Sequence, residues 1–550
     1  MGAVDSEIVV VGAGPTGLTL ACRLLHLGVP CTVIDKEPEP TRWSRAIGMS
    51  PRSLEVFDQF GAAEELVERG LPCTVANFYS RGRRVGRLRL SRLRATRYRF
   101  MLALMQSATE EVLQRHLLRL GGSIERGVRL TGLRQTPAGD RVTLELQGPS
   151  VTRSLTARWV VGADGAHSAV RRLAGIAFTG VGASGSFVNV DAELGAGPAA
   201  GEGHYYFSRA GIAVVIPLAD GHYRVTASLR DAPGDAVGDA PGATTGGDLG
   251  LEAFETIVAE RAGARLRVGR LRDSGWGISR FEVHKRIASR FRAGRCLLVG
   301  DAAHLYGPVG GQGMNGGIQD AQNLAWKLAL VAGGDAGERL LDTYEQERRR
   351  TAGRVLHAVE RLTRMALLRD PLTTTVRDTV MRVGTATGAL DRRIAPEIGQ
   401  FDVAYGRGAG AWRRGRGARA LGRRIPDTPL SREGEPTTLF ALLRERPFTL
   451  LGLALTPAHD SAWSALGARV RALHGDTVAL FRVCDHPSAQ ATALADGDGE
   501  LHRYLAARRP TLCVLRGDGH VAHVCSFHQA STLLGCLSEN YALRPRVRSL

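Results

Sequence analysis

Glu7-Ile8-Val9-Val10-Val11 leads directly into Gly12-Ala13-Gly14-Pro15-Thr16-Gly17, and this stretch decides the fold. Its first five residues are a short apolar run of the kind that forms a buried parallel strand. Leu18 to Leu27 then carries helical periodicity and closes at Gly28, a residue suited to the left-handed turn that ends a helix. Cys31-Thr32-Val33-Ile34 reads as a second strand and ends in Asp35, 18 residues after Gly17. Strand, glycine turn, helix, strand and acid in this order predict a β-α-β unit that binds a dinucleotide. Gly12 permits the tight turn, Gly14 lets the main chain approach a pyrophosphate, and Gly17 lets helix and strand pack closely. The helix start, entered through Ala13, Pro15 and Thr16, offers free N–H groups and the positive end of its dipole to phosphate. Asp35 is placed to accept hydrogen bonds from ribose hydroxyls, with Lys36 beside it. The pattern alone does not choose between FAD and NAD(P).

The bare glycine spacing is weak evidence. Gly180-Val181-Gly182-Ala183-Ser184-Gly185 repeats it. No apolar strand leads in, and Ser186-Phe187-Val188-Asn189-Val190 alternates instead of opening a helix, so a loop is expected there.

Two further glycine turns follow apolar strands. Trp159-Val160-Val161 runs into Gly162-Ala163-Asp164-Gly165, a turn with a small acid at its tip, and a helix is expected to follow it. Arg295 to Val299 runs into Gly300-Asp301-Ala302-Ala303-His304. Six glycines then fall between 307 and 317, before a helix expected over Ile318 to Ala329. So many glycines are costly in backbone entropy, which points to main chain pressed against a flat ligand. A helix start at Gly313-Met314-Asn315 would aim its positive end at an anionic oxygen.

These three motifs, in this order, resemble the flavoprotein monooxygenases typified by para-hydroxybenzoate and phenol hydroxylases. The resemblance runs from residue 7 to about 365. It implies that the first motif holds the ADP part of FAD, that Ala163-Asp164 lie near FAD and the NAD(P)H path, and that Asp301 meets the ribityl chain. It further implies that Pro308 and Gly310 edge the isoalloxazine, and that Gly313, Met314 and Asn315 meet its pyrimidine end. Arg45 resembles the family's arginine near the pyrophosphate. Gln106 resembles its glutamine near the ribityl and phosphate groups.

The expected fold class is α/β, with a Rossmann-like FAD-binding domain, an inserted antiparallel-sheet substrate domain and a C-terminal thioredoxin-like domain. Residues 1–178 form the first part of the FAD-binding domain, with the insert 73–105 contributing to the substrate domain. Residues 179–280 form the substrate domain. They alternate polar and apolar residues and carry a hairpin signal at Asp220-Gly221. Residues 281–400 return to the FAD-binding domain and a helical region. Residues 401–435, rich in Gly and Arg, read as a linker. Residues 436–550 show strands at 448–455, 477–483 and 511–516, and Pro510 resembles the proline ahead of a thioredoxin strand. No C-x-x-C pair is present, so a structural role is expected for this domain rather than thiol redox.

At 550 residues and 44% hydrophobic, the chain can bury a large core. Its formal charge is +18, and 69 of its 72 basic residues are arginine. A basic chain invites a nucleic-acid reading, but the arginine runs at 81–99 and 413–424 lack the regular interleaved aromatic platforms of single-strand binders. No nucleic-acid partner is therefore expected. The arginines beyond Arg45 are expected to be mostly solvated, with a steering role at most for an anionic coenzyme. Scattered cysteines and the lack of a secretory leader or long apolar run point to a cytoplasmic protein without a membrane anchor. No metal site is expected, and the chain is expected to be a monomer or homodimer.

The resemblance implies an oxidoreductase in which NAD(P)H, with NADPH as the expected form, reduces FAD. O2 then reacts to give a C4a-hydroperoxide, which transfers one oxygen to a small-molecule aromatic substrate. An aromatic polyketide of antibiotic biosynthesis is the expected class. Baeyer–Villiger oxygenation on the same scaffold and a non-catalytic flavin-binding role remain open. No catalytic acid or base stands out in the sequence. A halogenase reading is disfavoured, because Trp276-Gly277-Ile278 lacks the second Trp of that group's motif.

Overall fold

A computed structural model of the chain describes residues 5–41, 46–94, 96–195, 197–229, 250–263, 266–272, 277–307, 310–405, 419–485 and 492–545. The strand Ser6–Val11 pairs in parallel with Thr32–Asp35 on one side and with Thr152–Gly162 on the other. Cys296–Leu298 joins in parallel outside Thr152–Gly162. Val11 lies opposite Gly162, and Gly162 opposite Leu298. The three glycine turns therefore leave the same edge of one parallel sheet side by side, although well over a hundred residues separate each from the next. Ligands of open α/β sheets bind at this carboxyl edge. The strands carry near-continuous apolar runs because both faces are covered, and Val9, Val10, Trp159, Val160, Val161 and Leu297 are fully buried.

A second sheet, nine-stranded among the described residues, collects both inserts. Its order is His304–Leu305, Ser279–Ala288, Phe178–Leu194, Tyr223–Ser228, Gly211–Pro217, Glu202–Ser208, Val75–Ser80 and Arg83–Arg89, with Val268–Leu271 paired beside Phe178–Leu194. The expectation of a purely antiparallel sheet is corrected at one joint. Val75–Ser80 meets Glu202–Ser208 in parallel, because a strand from a distant insert is free to enter in either direction. The expected boundary at 280 also moves. Ser279–Ala288 is one continuous strand of this sheet, and it pairs with His304–Leu305 at the entrance to the glycine-rich loop.

The second glycine pattern lies inside the strand Phe178–Leu194, not in a loop. Register shifts between Val181 and Ser186 absorb it as bulges. A Cβ on Gly180 would lie 2.0 Å from the Lys285 carbonyl oxygen, so close strand approach explains this glycine.

The two faces of the sheet differ. Val188, Val190, Val215 and Val225 are sealed beneath Phe254 and Val258 of the helix Leu251–Ala262. On the opposite face Phe207, Val214, Ile216, Thr226 and Phe281 remain partly exposed in mid-sheet. That face looks toward the parallel sheet, since Arg224 Nη2 reaches Met105 Sδ at 3.7 Å and Val283 packs against Gly307.

The C-terminal region forms a third sheet, in the order Glu435–Thr438, Pro429–Arg432, Ala493–Ala495, Val478–Cys484, Phe448–Leu453, Thr511–Arg516, Val521–Ser526. The expected linker 401–435 is thus too long, since Pro429–Arg432 is already a strand of this sheet. Residues 406–418 lie outside the described residues. The sheet is not an independent lobe. Phe448, Leu450, Val514 and Leu533 share one core with Trp326 and Leu330 of the helix Gln312–Ala332, and the Trp326 and Phe448 rings meet edge to face at 5.5 Å. That helix begins six residues before its expected start. It carries buried Gln319, Asp320, Gln322, Asn323 and Lys327 on what its sequence presents as a polar face.

Candidate functional site

The first turn divides its glycines by physical role. Gly12 takes φ +109°, and a Cβ there would stand 2.4 Å from the Ala163 carbonyl oxygen. A Cβ on Gly17 would stand 2.0 Å from the Gly12 carbonyl oxygen. Both are glycine because protein fills the space. Gly14 adopts an ordinary extended conformation, φ −75° and ψ 179°, and a Cβ on it would meet nothing within 4 Å. Protein packing does not require glycine at 14. The space over the main chain at the start of Pro15–His26 is open to a ligand. Pro15 occupies the first helical position, where its missing N–H is no loss.

The same division recurs in the third motif. Cβ atoms on Gly300 and Gly317 would fall 2.8 and 2.2 Å from Thr16 Oγ1, so Thr16 is placed in the seam joining the two motifs. Gly311 and Gly313 have nothing within 4 Å of a Cβ position. Gly310 and Gly311 take φ +89° and +62° and turn the chain into the helix Gln312–Ala332. Two helix N-termini thus present uncovered main chain, a setting that favours anionic groups. This donor set and the open space over Gly14, Gly311 and Gly313 fit a dinucleotide with a flat headgroup such as FAD.

Around this cradle the side chains are mostly committed to protein. Asp35 Oδ2 accepts the Ala13 N–H at 2.6 Å, and Oδ1 accepts the Glu37 N–H at 2.8 Å. Lys36 is half exposed, 3.5 Å from Glu37. Asp164 Oδ2 accepts the Ala169 and Val170 N–H groups at 2.6 and 3.1 Å, capping the helix Ala169–Leu173. Burial raises the Asp164 pKa above the usual range against those hydrogen bonds. Asp301 is exposed in the turn Gly300–Ala302. Gln106 opens the helix Gln106–Arg119, where its Oε1 accepts the Ala46 N–H at 3.4 Å and its Nε2 donates to Glu110 at 2.9 Å. Met314 packs into the core beside the parallel sheet. Asn315 is fully buried. Its Oδ1 accepts from the Ser50 N–H and Ser53 Oγ, and its Nδ2 donates to the Gly48 and Gly311 carbonyls. The Asn315 side chain therefore latches the glycine loop to the segment 48–53, which leaves the main chain of Gly313 and Met314 as the part facing the open space. Arg45 and Pro308 lie outside the described residues.

Three groups had no role in the sequence reading. Glu110 is buried beneath Gln106. Burial pushes its pKa up to about 7, with the Gln106 hydrogen bond opposing and Asp35 adding. Asp320 accepts the Gly300 N–H at 3.0 Å, His304 Nε2 lies 2.5 Å from the same oxygen, and Arg348 Nε lies 2.6 Å from the other. Burial raises the Asp320 carboxyl, but His304 and Arg348 outweigh it and hold the group below its usual range. Arg224 and Asp191 form a buried ion pair on the sheet face toward Met105. The one available sequence signal was polar residues recurring through the otherwise apolar helix after residue 316.

The comparisons with known proteins agree with this geometry. Residues 5–359 match the family model described as FAD binding domain, and residues 418–540 match the one described as aromatic-ring hydroxylase, C-terminal. The chain belongs to the FAD-dependent aromatic-ring hydroxylases. It is 34% identical over 528 residues to 6-methylpretetramide 4-monooxygenase of Streptomyces rimosus, covering 94% of this chain and 90% of that one. The solved structure of the anhydrotetracycline hydroxylase OxyS from Streptomyces rimosus superposes with a TM-score of 0.75 at 30% identity, covering 98% of this chain and 99% of that one. Aklavinone-11 hydroxylase, solved as a ternary complex with FAD and aklavinone, gives a TM-score of 0.72 at 25% identity, covering 98% and 99%. The chain is thus an oxidoreductase of the flavoprotein monooxygenase class, homologous to hydroxylases that act on aromatic polyketides. Among the described residues, no helix is long and apolar enough to cross a membrane.

Proposed function

We propose that this chain is an NAD(P)H-dependent hydroxylase of electron-rich polycyclic aromatics of the polyketide type. The observation that carries the reading is the placement of two uncovered helix N-termini opposite a half-open sheet face bearing Phe207, Phe281 and Val214. FAD, when bound, supplies electron transfer from NAD(P)H and activation of O2, chemistry that no side-chain set in the chain supplies. The residues of this chain hold and orient. Gly12, Ala13, Gly14 and the first turn of Pro15–His26 would take the pyrophosphate, with Asp35 and Lys36 toward the ribose and Gln106 toward the phosphates. Ala163-Asp164 and Asp301 would shape the middle of the site. Gly310, Gly313, Met314 and the position of Asn315 would border the flat headgroup. The family resemblance assigns Arg45 to the phosphates and Pro308 to the headgroup. The sheet face above would exclude water and hold the aromatic ring against that headgroup.

The likeness to polyketide hydroxylases along nearly the whole chain supports the substrate class. The C-terminal sheet supports a thioredoxin-like reading. Phe448–Leu453 and Val478–Cys484 are parallel, while Thr511–Arg516 and Val521–Ser526 follow antiparallel on the other side. In this reading the domain buries the helix Gln312–Ala332 and has no redox task.

The test is purification followed by a substrate screen. The protein should be yellow, or become so with FAD, and should oxidise NADPH faster when polycyclic phenols are added. Product mass should rise by one oxygen, and NMR then separates ring hydroxylation from ring expansion. A colourless preparation that FAD cannot reconstitute, or NADPH oxidation that no aromatic stimulates, overturns the proposal.

A further inference from the structure

Beside the Arg224–Asp191 ion pair, the half-open sheet face carries a second polar couple, whose orientation is fixed from within. Thr226 Oγ1 donates to Asn189 Oδ1 at 2.6 Å, and the two residues are direct cross-strand partners. Asn189 is 6% exposed and Thr226 is partly exposed. The couple sits between the two contacts that this face makes with the cofactor side. At one end Arg224, two residues from Thr226, reaches Met105, which precedes Gln106. At the other end Val283 packs on Gly307, at the start of the glycine loop. Between them Phe281 stands opposite Phe187, their rings stacked at 5.9 Å, and Asn189 stands opposite Ser279. Phe187 is buried with Ala366 at the end of the helix Leu340–Ala366, which leaves Phe281 as the partly exposed ring of the pair. A step of two residues along a strand is roughly 6.6 Å. Phe281 and Asn189 are therefore spaced like neighbouring parts of one fused-ring molecule.

The chemistry of the couple is asymmetric. An amide side chain has an acceptor oxygen and a donor NH2 group. The Thr226 hydroxyl occupies the Asn189 oxygen, so the amide turns its N–H donors to the open side of the face. Donors beside the apolar Phe281 bind an acceptor and leave an analogue without one at a disadvantage.

We propose that Asn189, oriented by Thr226, is a specificity-determining residue that reads a carbonyl or phenolate oxygen on a fused-ring substrate whose apolar part lies against Phe281. This assignment rests on the aromatic-hydroxylase reading above.

The experiment uses FAD-loaded protein and two probes of equal charge, anthraquinone-2-sulfonate and anthracene-2-sulfonate, which differ in the ring carbonyls. Binding is followed by the change in the flavin spectrum. The wild-type protein should bind the quinone about tenfold more tightly, as a single net hydrogen bond allows. Asn189→Leu, which keeps the branched shape but removes the donors and the acceptor, should abolish that preference and leave the hydrocarbon's Kd unchanged. Thr226→Val, which keeps the amide but frees it to turn, should reduce the preference about threefold. A general loss of structure would weaken both probes together and could not move their ratio. If both probes bind and the ratio is the same in all three proteins, the Asn189 assignment is overturned while the hydroxylase reading stands. If neither probe perturbs the bound flavin of the wild-type protein, the hydroxylase reading fails and the assignment falls with it.

Discussion

Gly14 and Gly17 lie in one turn, yet the structure gives them different reasons to be glycine, and a pair of alanine variants separates the two. At Gly14 the backbone is ordinary, φ −75° and ψ 179°, and an added Cβ meets nothing within 4 Å. Gly14→Ala should leave the apoprotein as stable as the parent, or more stable by about 0.4–1 kcal/mol, because the unfolded chain loses freedom. The methyl group would instead occupy the approach of a phosphate to the main chain. FAD affinity should fall about a hundredfold, or about 2.7 kcal/mol. With free FAD at about a thousand times the parent's Kd, the parent gains about 4.1 kcal/mol of stability and the variant about 1.4. At Gly17 the added Cβ would lie 2.0 Å from a backbone oxygen, and neither the turn nor the helix can yield that much. Gly17→Ala should therefore lose about 3 kcal/mol before any cofactor is added. Thermal unfolding of both apoproteins, with calorimetric titration of FAD, reads the two effects independently. Parent-like FAD binding by Gly14→Ala would refute the reasoning. So would an apoprotein of that variant as unstable as that of Gly17→Ala.

Glu110 should give the apoprotein a pH-dependent weakness. Its folded pKa of about 7 lies above the ordinary 4.5, so the folded state holds a proton that the unfolded state releases. Stability is lost as pH rises from about 4.5 to 7, and Glu110→Gln should gain about 1–3 kcal/mol at pH 8 but nothing at pH 4, read by urea unfolding. Asp191→Leu or Arg224→Leu alone should cost about 3–5 kcal/mol by stranding a buried charge, and the double variant should recover much of it. A chain ending at residue 418 should aggregate when analysed by size exclusion. It exposes Trp326 and strips Arg516 from Glu347, whose carboxyl Arg516 and Lys327 hold down to about 2 against burial.

Several elements were legible in the sequence because their causes are local. The β-α-β unit, its closing Gly28 and the hairpin at 218–221 follow from strand runs, helical periodicity and residues that tolerate turn geometry. Other features depend on partners distant in sequence. Gly180–Gly185 reads as a loop until the neighbouring strand Ser279–Ala288 is present to pair with its bulges. The arginines were read as mostly solvated, yet Arg89 and Arg92 reach Asp391, Arg87 reaches Glu202, and Arg348 and Arg516 are buried against Asp320 and Glu347. Surface-like composition cannot reveal a buried ion pair, because the compensating charge lies on another element.

The sequence by itself determined that a glycine turn follows an apolar strand at its carboxyl end and opens a helix, because strand run, glycine spacing and helical periodicity are all local. It also determined that two later turns of the same kind exist. The tertiary structure alone decided that all three meet at one sheet edge, because parallel pairing sets Val11, Gly162 and Leu298 side by side. It also decided which face of the second sheet opens toward that edge. A strand's alternation marks two faces, but only the helix packed on one of them leaves the other half-open.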